Sequence, residues 1–485
     1  MNRRILLRMG YKMIPLRTDS TIDCQKDSRS MITDRFFNIA KQLNITPPEQ
    51  DGTFCGICSD TRYLTPGNLF IAIQGEQFDG HDFILEAARK GAAGALVKHK
   101  IDAPIPQIVV EDTVLALGKI TAHWRNQFNI PLIGVTGSNG KTTLKNMLAS
   151  ILQSACQDNK NAVLATDGNL NNHIGLPLTL ARLHSEHHYA VIEMGMNHFG
   201  EIAYLTQLAK PTIAVITNAA EAHLEGLGNV SGVAKAKGEI FSGLPKEGVA
   251  ILNRDDPHFD YWRSLMGNHR YVTFGLDHPA DITATLSGTQ HITLHTPNGN
   301  CAVNLPLLGR HNIMNALAAT AASLAAGIDL PTIKSGLENV KPAPGRMQLY
   351  TLKNNINVID DTYNANPFSL LAAVNALAEF SGKKIVVLGD MKELGSDAKQ
   401  FHYAAGENIR ARGIDCLFTF GNLSSAATEG FGEQAEHFTV QEHLIAALKP
   451  HLTQDVTLLV KGSRSMKMEK IVASIIPAEQ LENSH

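Results

Sequence analysis

Ile130-Pro131-Leu132-Ile133-Gly134-Val135-Thr136-Gly137-Ser138-Asn139-Gly140-Lys141-Thr142-Thr143 is the stretch on which the reading of this 485-residue chain turns. An apolar run followed by glycines and Lys-Thr-Thr describes a buried strand turning tightly into a helix. Glycines let backbone N–H groups face inward around phosphate oxygens, and the helix N-terminus adds favourable partial charge. Lys141 then reaches the β- and γ-phosphates, and the Thr142 hydroxyl is a Mg²⁺ ligand. Gly137, Ser138, Asn139, Gly140, Lys141, Thr142 and Thr143 are accordingly the expected ATP-binding residues. The strict phosphate-loop pattern wants glycine where Val135 stands; Gly134 and Gly137 are present instead, so the loop is a variant. A tight glycine turn with a chance Gly-Lys-Thr is the competing interpretation, and the strand before and helix after weigh against it.

Outward from this loop the chain falls into sections. Before it, strand candidates are Leu69 to Ile73, Gly94 to Val97 and Gln107 to Val110, with a helix from Asp112 to Gln127. After it, strands are expected at Val163 to Thr166, Tyr189 to Met194, Thr212 to Asn218 and Gly248 to Asn253, with helices between them, which implies a parallel sheet covered on both faces. Asp281 to Leu305 alternates like an antiparallel hairpin, and a helix from His311 to Ala326 follows, closed by Gly327. Lys341-Pro342-Ala343-Pro344-Gly345 reads as a linker. The βα pattern then restarts with strands at Asn357 to Asp361, Lys384 to Leu388, Cys416 to Phe420 and Thr457 to Lys461. The expected fold class is α/β in three domains: a small α/β domain over residues 31–127, a central P-loop mononucleotide-binding domain with a parallel sheet over 128–343, and a C-terminal Rossmann-like domain over 344–485. Residues 1–30 read as a loosely ordered extension.

Composition narrows the function classes. A formal charge of −3 supplies no large basic field, so nucleic acid is not an expected partner. No apolar run reaches about 18 residues, so no membrane insertion is expected. The N-terminus lacks the sustained apolar stretch of a signal peptide, and the chain reads as cytoplasmic. Of six cysteines only Cys55 and Cys58 form a CxxC pair; without a second pair they read as two reduced thiols near a strand end rather than a zinc or redox site.

Nucleotide sites in such sheets lie outside the carboxyl ends of the strands. Glu193 ends the run Tyr189-Ala190-Val191-Ile192 and would be a hard oxygen ligand for Mg²⁺. His223 follows the strand ending near Asn218. Each alone is an ordinary solvated group; their joint placement makes the case. Ala234-Lys235-Ala236-Lys237-Gly238-Glu239-Ile240-Phe241 reads as a helix whose bland interpretation is a solvated charged face. Gly238 costs such a helix roughly 1 kcal/mol relative to alanine, which close approach of the backbone to a ligand would explain.

At this point the residues resemble the Mur ligase superfamily, from about Ser59 to the C-terminus. The loop Thr136 to Thr143 resembles the family's phosphate loop, missing glycine included. Gly309-Arg310-His311-Asn312-Ile313-Met314-Asn315-Ala316 resembles its adenine-contacting helix start, and Pro344-Gly345-Arg346 the hinge whose arginine reaches the phosphates. Asp167 to Pro177, Glu193 to Asn197, Asp360 to Pro367 and Gly389 to Gly395 resemble the member that adds a D-alanyl-D-alanine dipeptide to a UDP-linked tripeptide. Ser59-Asp60-Thr61-Arg62 through Phe83 resembles a UDP-sugar domain.

The resemblance implies an ATP-dependent peptide ligase of peptidoglycan synthesis. ATP, UDP-MurNAc-tripeptide and D-alanyl-D-alanine would be its small-molecule substrates, two Mg²⁺ its cofactors, and a monomer its working form. Thr142, Glu193, His223 and Lys237 would hold metal, Lys237 as a carbamate formed with CO₂; Lys141, His223 and Lys237 would be catalytic. Asn312, Arg346, Asp361 and Tyr363 would bind ATP, with Asp361 on the ribose. Ser59, Asp60, Arg62, Asn169, Asn171, Asn172 and Asn366 would contact substrate. Lys461-Gly462-Ser463-Arg464 would reach the acceptor or form a plain strand-end turn. The alternatives are another Mur-type ligase adding a single amino acid, and a P-loop ATPase switch.

Overall fold

The computed structural model describes residues 31–221, 224–288 and 290–477; the proposed N-terminal extension and His223 lie outside them. Four short parallel strands, β3 (Ile57–Cys58), β4 (Leu69–Ile71), β5 (Gly94–Val97) and β6 (Gln107–Val109), form the first sheet. Ahead of it, β1 (Thr33–Arg35) pairs antiparallel with β2 (Thr53–Cys55), flanking helix α1 (Phe36–Leu43). Phe36 and Ile39 are buried with Phe54 and Ile71, so one face of α1 closes this core. Helix α2 (Thr113–Arg125) leads out, capped by Asp112, whose carboxylate accepts from the Val114 and Leu115 N–H groups.

The central sheet has six parallel strands in the order β12-β11-β10-β7-β9-β8. They are β7 (Leu132–Thr136), β8 (Val163–Ala165), β9 (Tyr189–Glu193), β10 (Ile213–Ile216), β11 (Val249–Asn253) and β12 (Arg270–Phe274). Residues of β7, β9, β10 and β11 are buried throughout or nearly so, which is why they read as continuous apolar runs. One face packs on helices α3 (Lys141–Ala155), α7 (Arg310–Ala325) and α8 (Leu330–Glu338); the other packs on α5 (Glu201–Ala209) and α6 (Val230–Gly238), with Trp262 buried among them. A short helix, α4 (Gly175–Leu180), follows β8.

Asp281 to Leu305 is a three-stranded antiparallel sheet rather than a hairpin: β13 (Thr283–Leu286), β14 (His291–Thr296) and β15 (Gly299–Asn304). Two turns interrupt the alternation, and Ile292, Leu294 and Val303 all face the core beneath.

Beyond the Lys341 to Gly345 segment a second six-stranded sheet runs β16-β17-β21-β18-β19-β20. Its strands are β16 (Gln348–Leu352), β17 (Ile356–Asp361), β18 (Lys383–Gly389), β19 (Cys416–Phe420), β20 (Ala435–Phe438) and β21 (Val456–Lys461), with helices α9 (Pro367–Ala378) and α10 (Ser425–Phe431) among its connections. All neighbours are parallel except β16 on β17. The edge strands β12, β16 and β20 were not anticipated. Each carries exposed or half-exposed residues, such as Arg270 and Tyr271 in β12, so none shows the apolar run that marks a central strand. The whole is an α/β architecture of three sheet domains.

Candidate functional site

The phosphate loop spans the four residues between β7 and α3. Gly137 has φ +155 and Gly140 φ +82. A Cβ on Gly137 would lie 1.7 Å from Thr217 Oγ1, and one on Gly140 would lie 2.5 Å from Asn315 Oδ1, so both glycines are sterically required. Val135 is fully buried in the strand, so the concave turn begins only at Gly137; that is the physical form of the variant pattern. The loop is fastened to the segment after β10: Ser138 N–H donates to the Asn218 carbonyl (3.0 Å), Asn139 N–H to Asn218 Oδ1 (3.0 Å), and Thr217 Oγ1 to the Asn139 carbonyl (2.6 Å). Ala220 N–H donates to Ser138 Oγ at 3.0 Å.

Lys141 Nζ folds back to donate to the Gly137 carbonyl at 2.7 Å. Burial lowers its pKa, with Glu193 opposing and Arg346 assisting that shift. Thr142 Oγ1 donates to Glu193 Oε2 at 2.9 Å, and Asn171 Nδ2 to Glu193 Oε1 at 2.8 Å. Glu193 is buried at the carboxyl end of β9, in the first turn's line of sight from α3. Thr143 follows, partly buried, in that turn. Lys145, which sequence reading passed over, is also buried and donates to the Thr166 carbonyl at 2.7 Å.

Lys237 is 2% exposed at the end of α6. Burial drives its pKa well below the ordinary lysine value; nearby Lys141 pushes the same way and Asp256 opposes. It is therefore a buried amine rather than part of a solvated charged face. A Cβ on Gly238 beside it would meet Leu265 Cδ1 at 2.8 Å, so the helix packs closely at this point. Among the described residues no group of three or more His, Cys, Asp or Glu gathers in metal-binding geometry. The oxygen donors Thr142 and Glu193, with an amine able to stay neutral at Lys237, nonetheless fit a hard divalent cation with a carbamate at the lysine.

The Asn residues of the 169–172 loop divide. Asn171 holds Glu193, whereas Asn172 Oδ1 accepts from Ile174 N–H (3.1 Å) and Gly175 N–H (2.8 Å) at the start of α4. Asn169 is half-buried, its carbonyl accepting from Asn171 N–H at 2.7 Å. Asn312 is buried, its amide donating to the Leu308 carbonyl (2.8 Å) and accepting from Asn315 Nδ2 (3.2 Å). Asn315, in the same helix start, is the residue that packs against Gly140.

From across the linker, the Arg346 guanidinium lies 4.0 Å from the centroid of the Tyr363 ring. Asp361 Oδ2 accepts from Lys461 Nζ at 2.5 Å, so Lys461 faces this carboxylate instead of standing free at a strand end. Asn366 Oδ1 accepts from Ser369 N–H, capping α9, while its Nδ2 donates to Asn139 Oδ1 at 2.8 Å. That last bond joins the second large sheet directly to the phosphate loop. In the first sheet, Asp60 and Arg62 pair with each other at 2.5 Å, and Ser59 beside them is partly buried. A cavity of about 500 Å³ opens between Glu225 and the segment carrying Met391, Lys392, Glu393 and Ser396.

A phosphate loop and a carboxylate at the end of one sheet, a buried lysine on the flanking helix α6 and an arginine from beyond the linker are parts that a nucleotide-driven ligase uses. Residues 53–125 match the Mur ligase family catalytic domain, 135–323 the Mur ligase middle domain, and 345–464 the Mur ligase glutamate ligase domain. The chain belongs to the Mur ligase family of ATP-dependent peptide ligases. It is 46% identical to UDP-N-acetylmuramoyl-tripeptide--D-alanyl-D-alanine ligase of Escherichia coli, over 88% of this chain and 94% of that one. MurF from Acinetobacter baumannii superposes with a TM-score of 0.85 at 37% identity, covering 92% of this chain and 99% of that one. MurF ligase from Thermotoga maritima, solved in complex with ADP, superposes with a TM-score of 0.78 at 28% identity, covering 89% and 98%. Among the described residues no helix is long and apolar enough to cross a membrane.

Proposed function

We propose that this chain joins D-alanyl-D-alanine to the terminal carboxylate of UDP-MurNAc-tripeptide, with ATP converted to ADP and phosphate. The carrying observation is the phosphate loop whose Thr142 meets Glu193 at 2.9 Å beside the buried Lys237. The names of the relatives support the choice of substrates. We assign residues 31–127 to the UDP-substrate, 128–343 to ATP and 344–485 to the acceptor dipeptide, all within one chain acting as a monomer in the cytoplasm.

The peptide carboxylate attacks the γ-phosphate in line, giving an acyl phosphate and ADP; the dipeptide amine then attacks the acyl carbon and phosphate leaves. Lys141 exchanges the Gly137 carbonyl for phosphate oxygens, and the loop N–H groups orient them. Thr142 and Glu193 would hold one Mg²⁺, and His223 with the carbamate of Lys237 a second; bound there, the ions neutralise charge on the transferring group. The depressed pKa of Lys237 supports the carbamate, because only a neutral amine adds to CO₂. Labelling with ¹³CO₂ that left Lys237 a bare amine in active enzyme would sink that assignment.

Asn312 reads adenine, Asp361 the ribose, and Arg346 with Tyr363 the phosphates. Ser59, Asp60 and Arg62 take the UDP end of the substrate, and Asn169, Asn171, Asn172 and Asn366 line its path. The cavity beside Lys392 has room for a dipeptide and supports the acceptor assignment. Seam closure excludes water that would hydrolyse the acyl phosphate.

The decisive assay is phosphate release from Mg-ATP and UDP-MurNAc-tripeptide, with and without D-alanyl-D-alanine. Release that depends on the dipeptide, with a UDP-linked pentapeptide by mass spectrometry, is the expected outcome. Release indifferent to the dipeptide would redirect the assignment to a sister ligase or an ATPase switch.

A further inference from the structure

Lys461 is a fully enclosed lysine, 2% exposed, on the last strand of the second large sheet. It stands opposite Asp361 in the parallel register of β17 and β21, both at the carboxyl ends of their strands. Its Nζ donates to Asp361 Oδ2 at 2.5 Å and to the Asn364 carbonyl at 2.9 Å. Asp361 Oδ1 accepts from Met347 N–H at 3.2 Å, just past the linker. One ammonium thus ties the start and middle of the 361–366 loop. The end of that loop is Asn366, which bonds Asn139 in the phosphate loop. His311, from the central domain, feels both charges of the pair.

A buried ion pair is weak support for stability, since apolar residues of similar volume serve a core as well or better. Leu459 and Val460 beside Lys461 are such residues. A charged pair at the open end of the sheet therefore calls for a reason other than the core. We infer that Lys461 is a positioning residue for ATP: it holds the Asp361 carboxylate in the orientation that meets the nucleotide ribose and fixes the loop that places Asn366 against the phosphate loop. The inference rests on the reading of Asp361 as the ribose contact.

The test measures steady-state kinetics of the full chain with Lys461→Met, Lys461→Arg, Asp361→Asn and the Lys461→Met/Asp361→Asn double variant. Lys461→Met should raise KM for ATP about tenfold and change kcat at saturating ATP by less than about threefold. KM for the UDP-linked substrate should rise by clearly less than KM for ATP. Lys461→Arg, which keeps the charge, should recover most of the ATP affinity. In the Asp361→Asn background the lysine change should add no further rise, because it acts through that carboxylate. Should Lys461→Met fail to fold, Lys461→Gln carries the same comparisons. A KM for ATP within twofold of wild type in the lysine variant, while Asp361→Asn raises it, would overturn the inference alone. Full additivity in the double variant, or equal loss for every substrate, would also overturn it by reducing Lys461 to a structural role. An unchanged KM for ATP in Asp361→Asn would instead overturn the ribose reading and this inference with it.

Discussion

Lys141 bonds the carbonyl of its own loop at 2.7 Å, and burial already disfavours its charged form. On the proposed role of the loop, a triphosphate would relieve both conditions by offering anionic acceptors at the same place. Lys141→Ala should therefore lower kcat by about 10²–10³, the cost of losing one preorganised electrostatic partner, while the melting temperature and UDP-substrate affinity stay near wild type. Activity above a few per cent would remove Lys141 from the phosphoryl-transfer step. His187 shows the opposite use of burial. Its pKa is lowered to about 3, chiefly by burial and then by neighbouring His184 and Arg182. Above about pH 6.5 the ring is neutral in both folded and unfolded chains, and its contribution is complete. As pH falls from there toward 3 the unfolded chain takes the proton first, so stability is lost. About 1 kcal/mol should go by pH 5, allowing for screening at the ring edge. His187→Gln should flatten the fall in denaturation midpoint between pH 7 and pH 5; an unchanged slope would show the ring is not the titrating group.

At the scale of elements, the N-terminus of α9 does two jobs through one side chain. Asn366 Oδ1 caps the helix in a reciprocal box with Ser369, and its Nδ2 crosses to Asn139. Substitution separates the two. Asn366→Asp keeps the cap acceptor and removes the donor, so stability should stay within about 0.5 kcal/mol of wild type while KM for ATP rises. Asn366→Ala should cost about 1 kcal/mol as well. Equal thermal stability in both variants would mean that the cap contributes nothing. The strand ends were readable because Glu193 and Asp361 each close an apolar run. The bonds that Asn172 and Asn312 make to nearby backbone were not, since an asparagine that bonds its own neighbourhood and one that meets a substrate look the same in a linear chain. Lys145 carried no signal, because its importance comes from what folds against it.

At the scale of the molecule, the site is complete only when two sheets meet. Arg346 stands over Tyr363 close enough to Lys141 to oppose its protonation, yet it belongs to the segment beyond the linker. Arg346→Ala should slow acyl-phosphate formation, followed by rapid-quench measurement, and leave UDP-substrate affinity nearly unchanged. A large loss of UDP-substrate binding would place the arginine elsewhere. The sequence by itself determined the phosphate loop, the parallel sheets around it and the linker, because buried strands and glycine turns impose local patterns that survive without partners. That Lys237 is a buried amine, that Lys461 faces Asp361 and that Asn366 reaches Asn139 came from the folded chain alone. Those are contacts between residues as far as 227 positions apart in the chain, and burial, which sets the charge state of a lysine, is a property of the surroundings rather than of the residue.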